Sequence, residues 1–327
     1  MLVFLLAAIP VATLGTADRE LPISIEIFGA EPIQFSPGGS AWHDSSAVTI
    51  VDNGRVIVRT VTLPDVVGAV RVTAHVSVSP VPRDESDVHD KWDRAGDVRL
   101  AVNGLPDIEI VKFITAYGGA TEYDADVSHL AALLRGPCTF KVFLDTWVSP
   151  AWTVSVALTY APSTDTLVPV WCAPLAYVES ATADLMASGG IRGDVEVPPG
   201  LSRVMLHYYV SGHCTDGRDA DEFVSKDNVI SVDGQVVYRY RPWRDDCQDF
   251  RHRNPYCRRW SDGSWSSDYA RSGWCPGDLV YPQVLDLSDH FPSGPHRVRF
   301  VIEQVRPRDA DGHYGYWRVS SHLVGYR

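Results

Sequence analysis

Residues 47–63 read AVTIVDNGRVIVRTVTL. Valine, isoleucine and threonine alternate with other residues on both sides of Asn53-Gly54, and that dipeptide accepts the positive φ of a tight type I′ turn. The stretch therefore predicts a β-hairpin with one face turned to a core. A second hairpin, NVISVDGQVVYRY at 228–240, repeats the device with Asp233-Gly234. Around them lie RVTAHVSVSP, DVRLAVNG, IEIVKFI, CTFKVFLDTW and WTVSVALTY up to residue 160, then RVMLHYYVSG, QVLDL, HRVRFVIEQV and WRVSSHLVGY. Each shows the period of two that sends successive side chains to opposite sheet faces. Only VSHLAALL, residues 127–134, has room for a helical turn or two. Strands at this spacing, without helices between them, predict an all-β chain of two antiparallel sandwiches or jelly rolls.

Length agrees with two units, because 327 residues exceed what one core usually fills. The polar stretch APSTDT at 161–166 reads as a linker, which divides the chain into 18–161 and 162–327. Ahead of them, MLVFLLAAIPVATLGTA runs apolar from Leu2 to Ala12 and then turns to small residues. Gly15 and Ala17 stand at signal-peptidase spacing, so residues 1–17 are expected to be a signal peptide cleaved after Ala17, although no positive charge opens it. Export would make disulfides of some of the six cysteines, whose 15 complete pairings sequence alone leaves open. A net charge of −12 argues against a nucleic-acid partner. No apolar run approaches the ~20 residues of a membrane span. No Asn-X-Ser/Thr occurs, so the chain carries no N-glycan acceptor.

Four stretches carry side chains suited to chemistry. KWDRA (91–95) sets Asp93 and Arg94 at a strand entrance, which local rules read as a surface ion pair and chemistry reads as a base beside a carbonyl-polarising guanidinium. In KVFLDTW, core positions Val142 and Leu144 leave Phe143, Asp145 and Trp147 together on the other face. An acid between aromatics there suits a sugar, whose apolar ring face stacks while its hydroxyls meet the carboxylate; an interdomain strand-end aspartate is the plainer reading. SGHCTDGRDADEF (211–223) offers His213 and Glu222 in what is otherwise a solvated acidic loop. A long irregular segment, 241–277, ends in RSGWCPG, with Arg271 and Trp274 three apart and Cys275 pinning the loop.

In order and spacing, KWDRA, KFITAY, DTW, Ser211-Gly212, ADEF and RSGWCPG resemble the peptide-N-glycosidase F family, secreted bacterial amidases that remove whole N-linked glycans. The resemblance covers about residues 85–280, with RSGWCPG and KFITAY its most specific pieces. It implies two eight-stranded antiparallel jelly rolls packed side by side, with the site between them. It makes Asp93 the principal catalytic carboxylate, Glu222 the second essential acid and Asp145 an assisting one. Arg94, Trp147, Arg271, Trp274 and His213 then become substrate-binding residues. The implied substrate is an N-glycosylated protein or peptide, attacked by a secreted or periplasmic monomer without metal or organic cofactor.

Several departures accompany the resemblance. Asp145 is one methylene shorter than the family's glutamate. The two cysteines that flank the essential acid are replaced by Ala220 and Val224, so the loop bearing Glu222 must be held another way. No cysteine precedes Cys138, which removes the family's early disulfide. Cys275 keeps a partner in Cys247 or Cys257, and Cys247 is favoured because Asn254-Pro255 follows it as in the family. These departures leave a catalytically silent glycan-binding protein as the alternative. A copper monooxygenase, which also pairs jelly rolls, would need clustered histidines and a methionine ligand; Met186 and Met205 are present, but no His-X-His is.

Overall fold

A computed structural model describes residues 21–38, 47–66, 69–217 and 220–327. The signal peptide expected at 1–17 lies outside the described residues. The N-terminal domain is built from β1 (Ile23–Ile33), β2 (Thr49–Val51), β3 (Val56–Leu63), β4 (Val70–Pro80), β5 (Ala95–Leu100), β6 (Ile108–Ile114), β7 (Thr121–Asp126), β8 (Gly136–Leu144) and β9 (Trp152–Pro162). They form one sheet ordered β1-β9-β4-β7 and another ordered β2-β3-β8-β5-β6. The C-terminal domain comprises β10 (Pro169–Ala181), β11 (Ile191–Val197), β12 (Arg203–Cys214), β13 (Asn228–Val232), β14 (Gln235–Tyr240), β15 (Gln283–Asp286), β16 (Gly294–Ile302) and β17 (Gly315–Tyr326). Its sheets run β10-β17-β12-β15 and β11-β16-β13-β14. Every pairing is antiparallel, giving two jelly-roll domains side by side.

Both hairpins close on the expected dipeptides. Asn53 and Gly54 adopt φ of 55° and 96°, and the Arg55 amide donates to the Asp52 carbonyl at 3.1 Å. Asp233 and Gly234 follow suit at 50° and 84°, between the paired residues Val232 and Gln235. VSHLAALL makes only a 3-10 turn, Ser128–Leu130, and the one short α-helix among the described residues, α1 (Ala183–Ala187), falls where no helix was expected.

Alternation fills the cores. Along β9, Trp152, Val154, Val156, Leu158 and Tyr160 are buried between partly exposed neighbours, as a half-buried strand requires. β12 and β17 differ, because both of their faces are buried nearly end to end. One face, with Leu206, Tyr208, Trp317 and Val319, enters the C-terminal core. The other, with His207, Tyr209, Ser211 and His213 on β12 and Tyr316, Arg318, Ser320 and His322 on β17, turns to the N-terminal domain.

There it meets β6. A bulge pairs Val98 with Val111 but Arg99 with Glu109, which leaves Ile110 as the extra residue. Glu109 and Lys112 are thereby brought to one side. The Ser320 hydroxyl donates to Glu109, and the Lys112 ammonium donates to the Arg318 carbonyl at 3.3 Å. This seam of buried charge continues through Arg318, which lies 3.8 Å from both Asp97 and Asp145.

Candidate active site

The segment before β5 is pinned by a residue that sequence reasoning passed over. Asp90 is fully buried and accepts hydrogen bonds from the Thr146 hydroxyl (2.6 Å), the Trp152 indole (3.1 Å) and the Trp92 amide (3.2 Å). Both sides of the Arg94 guanidinium also reach it, each at 2.9 Å. Arg94 lines the cleft, but its fork is spent on Asp90 rather than on its neighbour Asp93. A local reading of Trp92-Asp93-Arg94 as an ion pair is thus half right, with Asp90 as the acid.

Asp93 finds its cation in the other domain. Arg271 Nη2 lies 3.8 Å from the Asp93 carboxylate, and Arg271 Nε lies 3.4 Å from Glu222 Oε1. Arg271 is 1% exposed and held on all sides: it donates to the Tyr269 carbonyl at 2.8 Å, the Ser266 carbonyl at 2.9 Å and the Tyr117 hydroxyl at 3.2 Å. Its guanidinium also sits against the faces of Phe223 and Trp274, 5.1 and 4.8 Å from their centroids. It is a fixed positive charge shared by two carboxylates. Tyr117, the last residue of KFITAY, hydrogen-bonds Asp93, and burial beside that acid pushes its phenol well above the usual range, so it stays protonated.

Burial raises the Asp93 carboxyl above the ordinary aspartate range, against the opposing pull of Arg271 and Tyr117. Burial likewise pushes Glu222 up to about 7; Arg271 opposes the shift and the nearby Asp93 adds to it. The Cys214 thiol donates to Glu222 at 3.4 Å.

The loop carrying Glu222 is held without the family's cysteines. The neighbouring Asp221 is fully buried and accepts from the Trp317 indole at 2.7 Å and the Arg306 amide at 2.9 Å. Backbone bonds complete the hold, with Ser272 N donating to the Glu222 carbonyl at 2.8 Å. A Cβ on Gly212 would come within 2.3 Å of the Asp221 carbonyl oxygen, and one on Gly315 within 1.8 Å of its carboxylate. Both positions therefore need glycine for the close approach. The segment 241–277 is stapled by a Cys247–Cys275 disulfide, as favoured from sequence, while Cys257 keeps a free thiol.

The remaining candidates complete one cavity of about 1200 Å³, which all eight sequence-derived site residues line. Asp145 stands between Arg55 at 3.3 Å and Arg318 at 3.8 Å. Trp147 is 59% exposed, with Arg55 beneath its ring at 4.6 Å, and Trp92 is 62% exposed on another wall. Two other candidates face inward. Trp274 is buried, with its indole donating to the Gly212 carbonyl at 2.8 Å. His213 is stacked between Trp274 and Tyr316 at 5.3 Å from each, bonded to the Ser211 hydroxyl, and held well below its ordinary pKa by burial. Tyr117, Arg55, Arg318 and Tyr316 line the cavity without having been singled out from sequence.

Comparison with known proteins shows what the chain as a whole is similar to. The family model described as "Peptide-N-glycosidase F, C terminal" matches residues 183–324. Peptide-N(4)-(N-acetyl-beta-D-glucosaminyl)asparagine amidase F of Elizabethkingia miricola is 23% identical over 252 residues, 72% of this chain and 69% of that protein. The structure of PNGF-II superposes with a TM-score of 0.82 at 24% identity, over 93% of this chain and 65% of the other, so this chain spans about two thirds of PNGF-II. PNGase F from Flavobacterium meningosepticum, described as a glycosylasparaginase, gives 0.71 at 18% identity, over 94% and 96%. Residues 183–324 thus match the C-terminal model of the peptide-N-glycosidase F family, and the chain shares its fold with PNGF-II and PNGase F.

Proposed function

We propose that the protein is an amidase that hydrolyses the bond between an asparagine side chain and the first GlcNAc of an N-linked glycan. The observation that carries the reading is Arg271, buried between Asp93 of one domain and Glu222 of the other at the floor of an aromatic-rimmed cavity. Asp93 takes a proton from water as the water oxygen attacks the amide carbon. The fixed charge of Arg271 stabilises negative charge developing nearby. Glu222, protonated in part at neutral pH, returns a proton to the leaving nitrogen. The C–N bond breaks, the glycan departs as its glycosylamine, and aspartate remains in the peptide. Exposed Trp147 offers an apolar face for a sugar ring, with Asp145 beside it for hydroxyls. The Cys247–Cys275 disulfide supports action outside the cytoplasm.

The reading is tested by incubating a denatured N-glycoprotein with the protein and analysing both products by mass spectrometry. Intact glycans and Asp in place of each glycosylated Asn are expected; unmodified Asn with retained glycopeptide binding replaces the amidase reading by that of a glycan-binding protein.

A pH effect follows from Glu222. As pH rises through about 7 it loses its proton, so kcat/KM on a glycopeptide falls on the alkaline side. Glu222→Gln lowers kcat severely and removes that alkaline limb. A profile flat from about pH 6 to about pH 9 would deny Glu222 a protonated role. Trp147→Ala raises KM by about tenfold while kcat stays within about twofold, because it removes binding shared by ground and transition states. An unchanged KM would move the sugar platform elsewhere.

A further inference from the structure

We propose that His129, His207 and His322 form a binding site for a divalent transition metal, Zn²⁺ above all, at the junction of the two domains. His207 and His322 face each other directly in the β12–β17 register, on the face turned to the N-terminal domain. His129 meets them from the 3-10 turn at Ser128–Leu130. Ring centroids are 4.1 Å apart for His129 and His207, 4.9 Å for His207 and His322, and 5.5 Å for His129 and His322. One nitrogen from each ring lies within 4.8 Å of the other two. No sequence motif announces the cluster, since its members come from three separate elements.

The second observation is chemical. His129 Nε2 and both nitrogens of His207 and His322 are buried and have no hydrogen-bond partner among the described residues. A neutral imidazole always presents one donor and one acceptor, and a buried polar group left unsatisfied is costly enough to need an explanation. His207 and His322 are 5% and 1% exposed. Burial holds all three below the ordinary histidine range, His207 at about 4, and repulsion from neighbouring rings adds to the shift at His129 and His322. The rings are therefore neutral, the form that binds a metal.

Three imidazoles suit Zn²⁺, Cu²⁺ or Ni²⁺ rather than Ca²⁺ or Mg²⁺, which take oxygen ligands. A Zn²⁺ ion would complete its tetrahedron with water. The rings are nearly parallel, 4–11° between planes, whereas a bound metal lies in the plane of each ring. Binding thus turns rings about χ2, a torsion with broad wells. His129 is the partly exposed member of the three. His207 stands six residues before His213, about 20 Å along β12, so the metal is remote from the cleft and ties the domains together.

The test uses the full chain freed of metal by chelation and then desalted, with Zn²⁺ as the probe. One equivalent retained after desalting, a rise of at least about 3 °C in the unfolding midpoint, and an X-ray absorption edge showing three imidazole nitrogens are expected. His129→Gln, on a partly buried turn, and separately His207→Gln should abolish retention and the rise while leaving the chelated midpoint within about 2 °C. No retained Zn²⁺ in the wild type, or a shell of oxygen or sulfur ligands, overturns the site even if both variants fail to fold. Retention undiminished in folded variants overturns it equally.

Discussion

Replacing Asp93 by Asn lowers kcat on a glycopeptide by about 10³-fold, the middle of the range for a lost general base. The change keeps volume and an oxygen that can still accept from Tyr117. The unfolding midpoint should therefore move by only a few degrees, and glycopeptide binding should persist within about threefold. A loss of turnover with retained binding separates chemistry from assembly of the cleft. Activity within about tenfold of wild type would remove Asp93 from the role of base. Glu222, the other carboxylate that Arg271 holds, would then be the first candidate.

Asp221→Ala should have the largest effect on stability. Its carboxylate satisfies the Trp317 indole and the Arg306 amide inside the domain, and a hydrogen bond to a charged acceptor contributes about 1.5–3 kcal/mol. Removing both costs about 3–5 kcal/mol, because the two donors stay buried without a partner. The midpoint falls by roughly 10 °C at about 2–4 °C per kcal/mol. Glu222 follows its neighbour, so turnover falls too, and it recovers in part with Asp221→Asn, which keeps one acceptor. A midpoint lowered by less than about 2 °C would show that backbone bonds alone hold this loop.

The fold was legible where a strand has one core face and regular alternation, as in β9 or the two Gly-turn hairpins. It was illegible where bulges break the period. β1 shifts register twice, around Phe28, and β10 shifts three times, two of them directly after Pro169 and Pro174. β7, TEYDAD, hides two buried residues among exposed acids at a sheet edge. At the site, Asp93, Glu222 and Asp145 were reachable through motif order. Their partners were not, since Asp90 reads as one more surface acid in VHDKWDR and Asp221 as one more member of an acidic loop. Tyr117 lay inside a quoted motif, yet only the fold shows its hydroxyl between Arg271 and Asp93. Arg94 went to Asp90 because a bidentate partner four residues away was available, a pairing that sequence could have suggested.

The seam of β12 and β17 has a kinetic consequence. Tyr117 and Arg271 are 154 residues apart in the chain, and Ser320 and Glu109 are 211 apart. Contacts so distant form late, after each sandwich has gained its own core. A refolding chain should recover its strand signal first and its cleft only when the last strand docks. Until then Arg271 has no Asp93 to face, and a nascent or half-assembled molecule has no closed cleft to offer a ligand.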